Sequence, residues 1–236
     1  MDRKGWIFIA LALFSVIFVL SCSPIYDGPD VNVYADQRSF LGIPNFFLVA
    51  PGVLFLFFGL MGLWKLGHQK KTFLRAVWMI FFLAAIGISL GSSYYHLDPS
   101  EQRLFWDRLS ISTAFMALLA GVVTERISLN TAKKVAPFLI LAGMASIFYW
   151  GGSGDVRFYY LIQCFSIIAL PLLCLCFPMK GDKYIYGVVI FYILAKVVEV
   201  YDGQIFSLTH QMISGLTLKQ LGGVVGVYFV YRKSCC

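Results

Sequence analysis

Long apolar runs, one after another and separated by short polar stretches, leave this chain few places to fold other than a lipid bilayer. Beyond residue 45 they cover about 46–64, 75–95, 108–125, 135–150, 158–178, 184–201 and 212–231. Most come close to the roughly 20 residues a helix needs to cross the hydrocarbon core, and the run at 135–150 is short. Helix is the expected form, because inside hydrocarbon each backbone N–H and C=O must find its partner within the segment. Composition agrees. The chain is 59% hydrophobic and 13% charged, where a soluble domain carries about 25% charged residues. With no internal repeat and no low-complexity segment, the sequence predicts one all-α membrane domain over residues 46–236, a bundle of seven transmembrane helices.

Two segments precede it. Residues 1–22 place Asp2, Arg3 and Lys4 ahead of an uncharged run from Trp6 to Cys22, the pattern of a signal peptide or of an N-terminal transmembrane helix. Val19-Leu-Ser-Cys22 has a faint likeness to a lipoprotein cleavage site, and a retained helix is the preferred expectation. Residues 23–45, with Pro24, Asp27, Pro29, Asp30, Asp36 and Arg38, read as an external polar segment.

The net charge of +7 does not point to nucleic acid, because the basic residues sit in short loops between spans. With a cytoplasmic N-terminus and eight crossings, Arg3, Lys4, Lys65, Lys70, Lys71, Arg75, Arg126, Lys133, Lys134, Lys180, Lys183, Arg232 and Lys233 all fall on the cytoplasmic side. Arg38, Arg103, Arg108 and Arg157 fall outside, where most of the acids also gather. This is the charge bias of an integral, multi-pass protein with both termini in the cytoplasm. The cysteines lack metal or redox spacing and read as packing thiols. Cys235 and Cys236 at the C-terminus are also candidates for lipidation.

Chemistry concentrates at the outer ends of two spans. Ser92 and His96 are four residues apart and share a helix face. Asp107 follows just before the next apolar run. Such groups are costly in a membrane and mark a site by default. The ordinary alternatives are helix packing for Ser92, since Gly87, Gly91, Ser92 and Ser93 permit close approach, and an interfacial His–Asp or Arg108 contact for His96 and Asp107. Lys196 and Glu199 are spaced for a pair within one helix, the alternative being a proton path.

Tyr34-Ala-Asp-Gln-Arg38, Leu41-Gly-Ile-Pro-Asn-Phe46, Gly91-Ser-Ser-Tyr-Tyr-His96, Leu104-Phe-Trp-Asp-Arg-Leu109, Ala195-Lys-Val-Val-Glu199 and Ile213-Ser-Gly-Leu-Thr-Leu-Lys-Gln-Leu221 occur in this order. Together they resemble the alkaline ceramidase family, in its bacterial ceramidase-like branch, within a superfamily that includes adiponectin-receptor-like proteins. The resemblance implies a zinc-dependent hydrolase of the ceramide amide bond, with zinc on three histidines. One would be His96, and two would stand in the last helix. It also implies Ser92 as the oxyanion stabiliser and Asp107 as the group that orients or deprotonates the attacking water.

The chain departs from that pattern where it matters most. The two last-helix histidine positions hold Leu216 and Gln220, and one imidazole alone does not make a zinc site. The first core helix has Leu48 and Pro51-Gly52 where relatives tend to carry polar residues. A calcium site of the kind some relatives build would have only Asp36 and Asn45 as oxygen donors. His68 is expected across the membrane from His96, whereas His210 lies on its side and is a possible replacement ligand, or else an ordinary loop histidine. Lys219 is a candidate to replace the metal's charge by pairing with Asp107, or a lysine that snorkels to the interface.

Three functions remain open on the sequence: a ceramidase-like hydrolase, a non-catalytic binder of ceramide or a related sphingoid lipid with a receptor-like role, and a transporter subunit. The retained motif favours the first, the lost histidines the second, and only Lys196, Glu199 and Lys219 speak for the third. No protein partner is legible.

Overall fold

The computed structural model describes residues 3–234, and these form an all-helical protein. The helices are α1 (Arg3–Ser21), α2 (Phe46–Val49), α3 (Pro51–Gly67), α4 (Phe73–Leu97), α5 (Glu101–Arg126), α6 (Leu129–Ser153), α7 (Arg157–Cys176), α8 (Asp182–Val200), α9 (Asp202–Leu208) and α10 (Gly215–Lys233). Among the described residues, five helices are long and apolar enough to cross a membrane, with α2 and α3 taken as one, and α8 with α9 makes a sixth. Seven core spans are therefore not reached on length and apolarity. Lys219, Arg232, Lys233 and several glycines dilute α10, and the apolar part of α1, Phe8–Ser21, is shorter than the rest.

The boundaries differ from the expected runs for local reasons. Pro51 supplies no backbone N–H and stands at the first position of α3, so the chain breaks after α2 and restarts. The run expected at 135–150 grows at both ends into α6, since the polar residues Asn130, Thr131, Lys133 and Lys134 suit a helix end that the apolar count left out. The last run begins at 215 instead of 212, because His210 and Gln211 take positive φ and close a turn there. At Tyr201 the chain bends by 80° into the short helix α9, which no apolar periodicity announced. Ser214 caps α10 by accepting from Thr217 N–H at 3.2 Å, and Thr72 caps α4 from Arg75 N–H at 3.1 Å.

Helix pairs approach closely where glycine allows it. A methyl at Gly91 would stand 2.7 Å from the carbonyl oxygen of Trp106, so α4 and α5 meet backbone to backbone. The main apolar core runs through Phe55, Trp78, Phe82, Leu119, Leu170, Ile185 and Val230. A smaller one, built on Tyr34, Leu48, Tyr95, Leu104, Trp150 and Tyr159, closes the end where α4 finishes and α5 begins.

The 23–45 segment lies over that end as a strap. Ile25 exchanges bonds with the α6–α7 turn, its carbonyl accepting from Val156 N–H at 2.8 Å and its N–H donating to Asp155 at 3.2 Å. Asp27 takes a two-pronged ion pair from Arg108, both contacts 2.7 Å, and a third bond from Trp150 Nε1. Tyr95 donates to Val31 O and Asn32 Oδ1, and Ala35 N–H donates to Asp202. Helix α1 docks on α7 through Phe8 and Phe165, and Arg157 reaches the carbonyls of Val19 and Cys22 at its C-terminus. Cys22, Cys164 and Cys176 are exposed, Cys174 is buried, and all four are free; Cys235 and Cys236 lie outside the described residues.

Burial by itself would raise the carboxyl of Asp36, but Arg38 outweighs it. Two guanidinium bonds, 2.8 and 2.6 Å, and the Arg38 N–H hold that carboxyl below the usual carboxylate range. Stability from a depressed carboxyl is present above the unfolded value of about 4 and is lost as pH falls through the folded value. Arg38→Gln is thus expected to lower the melting temperature at neutral pH, with the gap to wild type closing below about pH 4. A gap unchanged down to pH 3 would exclude this account.

Candidate functional site

Beneath the strap a cavity of about 500 Å³ reaches into the bundle. Asp27, Val31 and Tyr34 of the strap line it, together with Tyr95, His96, Asp107, Arg108, Glu199, Asp202, Lys219 and Gln220; its apolar walls come from Phe55, Phe81, Ile88, Phe115, Leu118, Val227 and Val230. Phe81 precedes His96 by fifteen positions on α4, and Val230 follows Leu216 by fourteen on α10. At 1.5 Å per residue each wall is about 21–22 Å long. One compartment therefore has a polar head and a long apolar body.

Three helices build the head. Ser92 and His96 come from one face of α4, Asp107 from the second turn of α5, and Gln220 from the second turn of α10. Ser92, His96 and Asp107 are all buried. The Gln220 side-chain nitrogen lies 2.8 Å from His96 Nε2 and 3.1 Å from Ser92 Oγ, donating to both. Ser92 Oγ thus accepts from Gln220 and keeps its own proton to donate. Asn45 donates to the carbonyl of His96 at 2.8 Å and so completes the C-terminal end of α4. Tyr34 packs edge-on to the His96 ring, centroids 5.2 Å apart, and burial pushes its phenol up.

Four buried polar atoms on this lining lack a hydrogen-bond partner: Tyr34 OH, His96 Nδ1, Asp107 Oδ1 and Gln163 Nε2. Native proteins seldom leave such atoms unpaired, and all four belong to residues that line this cavity. Lys219 does not pair with Asp107. Its ammonium meets Glu199 at 2.5 Å, and Glu199 also takes Lys196 at 2.5 Å, so one carboxylate on α8 serves two lysines. Arg108, the other candidate partner for the His–Asp pair, is committed to Asp27.

The remaining candidates lie elsewhere or are engaged. His210 is exposed in the α9–α10 turn, outside the cavity lining. Asp36 is occupied by Arg38 and Asn45 by the His96 carbonyl. Leu216 packs on the small core, while its N–H donates to Asp202 at 2.7 Å. Asp202, a candidate carboxylate beside His210 on the sequence, instead ties the strap to the start of α10. Sequence reading missed Gln163, which accepts from Tyr192 OH and adds a polar step to the cavity wall.

The sequence matches no protein-family model and no curated protein.

Among the described residues, zinc, which the ceramidase resemblance implies, finds no suitable donor set. The carboxamide of Gln220 is hydrogen-bonded to His96 Nε2, and Leu216 has no donor atom. A carboxamide is a poor partner for zinc beside one histidine. Among the described residues no group of three or more His, Cys, Asp or Glu side chains is placed to hold a metal ion. His96, Asp107 and Gln220 line the cavity, whereas Ser92 does not and instead accepts from Gln220.

Proposed function

We propose that the chain is a non-catalytic, multi-span membrane protein on a ceramidase-like scaffold, binding an amphipathic lipid in its internal cavity. The cavity carries the reading: its head is lined by polar side chains and its body is apolar, as a ligand pocket of roughly 300–1,000 Å³ commonly is. The sphingoid lipids of the resembled family remain the natural first ligands to test.

The decisive experiment combines elemental analysis with mass spectrometry of lipid extracts, on protein purified in mild detergent without chelator or added zinc. The expected result is co-purified lipid near one per chain and zinc far below that. Zinc near one per chain, with ceramide hydrolysis, would overturn the reading in favour of the hydrolase. Leu216→His with Gln220→His is expected to create zinc binding if the scaffold is merely disabled. A folded double variant that binds none would count against the resemblance itself.

In this reading α10 and α1 also cross the membrane, and the strap faces away from the cytoplasm. The exposed basic residues at the other end, Lys70, Lys71, Lys133 and Lys134, support that orientation. An impermeant thiol reagent applied to intact cells, in a cysteine-free background, is expected to label Leu41→Cys and spare Lys70→Cys. The reverse pattern would invert the topology.

A further inference from the structure

We infer that the groove between α7 and α8, on the outside of the bundle, is a site for one anionic phospholipid of the leaflet at the strap end, its phosphate taken by Lys196. The groove encloses about 350 Å³. Ile167 of α7 lines it with Tyr192, Ile193, Val197 and Val200 of α8, and Tyr201 stands at its end. Ile193, Val197, Val200 and Tyr201 are exposed, so hydrocarbon covers them once the helices span a bilayer. At 1.5 Å per residue, Tyr192 lies about 12 Å below the end of α8 at Val200, and Ile167 about 15 Å below the start of α7 at Arg157. The apolar wall therefore begins at the strap end and receives the upper part of one acyl chain.

Among the described residues that line the groove, Lys196 alone is charged, and its side chain is 44% exposed. It stands about 6 Å below the end of α8, a depth from which a lysine reaches the head-group layer. Lys196 also borders the internal cavity, where Glu199 accepts from it and from Lys219. Two ammoniums against one carboxylate leave a positive charge over, and in a membrane such a charge is costly unless paired. Lys219 shares the cavity lining with Asp107 and Asp202, whereas no acid lines the groove. The surplus therefore falls to Lys196. When its ammonium turns to a phosphate, Lys219 keeps Glu199 neutralised, so the new pair forms without orphaning a carboxylate. A head group without net negative charge leaves the surplus where it was.

The test uses the full chain, delipidated in detergent and offered dioleoyl phosphatidylglycerol and dioleoyl phosphatidylcholine in equal amounts. The two share their chains and phosphate, but choline returns the positive charge. Native mass spectrometry is expected to show the first phosphatidylglycerol bound about five- to tenfold more tightly than phosphatidylcholine. Lys196→Gln should bring the two lipids to parity, and Glu199→Gln, which frees Lys196 from its present partner, should widen the preference. Val197→Trp fills the groove without altering charge and should also abolish the preference; should Lys196→Gln not fold, this variant decides. Parity in the wild type would mean non-selective boundary lipid and overturn the inference. A preference that survives Lys196→Gln would place the anionic lipid on the basic residues of the opposite end, and one that survives Val197→Trp would show charge attraction without a groove. Either result overturns the inference, and each leaves the cavity reading standing.

Discussion

Arg126→Met is expected to cost about 3–5 kcal/mol, enough to abolish accumulation of a protein with ordinary marginal stability. The side chain has no solvent exposure and closes the end of the bundle opposite the cavity. There it pairs with Asp182 at the start of α8 and with Glu125 at 3.0 Å, donates to Cys174 Sγ, and completes a network in which Lys233 of α10 meets Glu125 at 2.9 Å. Removing the guanidinium leaves Asp182 buried with one remaining donor, Met179 N–H at 2.8 Å, while Glu125 keeps Lys233. The loss is therefore mainly the desolvated Asp182 carboxylate. Arg126→Met with Asp182→Asn is expected to recover most of it, since a neutral amide tolerates burial far better than an orphaned charge. Thermal unfolding in mild detergent reads both variants. A single variant within about 0.5 kcal/mol of wild type, or a double variant no better than the single, would show that the network contributes packing and no charge pairing.

The sequence reveals that network only by halves. Arg126 and Asp182 are separated by 56 positions, and nothing local marks them as partners. The same holds for Asp27 and Arg108, 81 positions apart. The helices themselves were legible because hydrophobic runs of span length dictate helix almost without regard to detail. The polar partners were not, because a charge in a loop reads as solvated until tertiary packing brings a second element over it. Hence α3 to α8 were anticipated, while α9, which is seven residues long and carries no apolar stripe, was missed.

The site shows the same division. Ser92 and His96 were expected together from helical spacing, Asp107 from its place at the same end of the next span, and position 220 only from the resemblance. The bond pattern was hidden. Lys219 stood next to Gln220 in sequence and invited pairing with Asp107, yet a helix turns 100° per residue, and that rotation aims Lys219 at α8 and Glu199 while Gln220 faces α4. Glutamine read as a missing ligand proves to be a cross-strut between α10 and α4.

Gly215→Ala tests how far that strut depends on backbone contact. A Cβ at Gly215 would lie 2.0 Å from the carbonyl oxygen of Val198 and 2.7 Å from the Cα of Asp202, both backbone atoms that no rotamer change can move aside. The start of α10 must then retreat from α8. Overpacking costs typically about 1–3 kcal/mol, and more where the obstacle is backbone, so the upper end is expected. The displacement also has a functional readout. Asp202 holds the next residue's N–H, from Leu216, at 2.7 Å, and Lys219 and Gln220 sit about one turn further along. Shifting α10 strains the Glu199 pair and withdraws the Gln220 amide from Ser92 and His96, so co-purified lipid should fall along with the melting temperature. Gly152→Ala is the matched control: it lies in α6, a Cβ there meets nothing within 4 Å, and a helical alanine is expected to be neutral or stabilising by about 0.5–1 kcal/mol. If Gly215→Ala melts like Gly152→Ala and retains its lipid, α10 is not held against α8 by this contact, and the cavity head must be positioned from the α4 and α5 side alone.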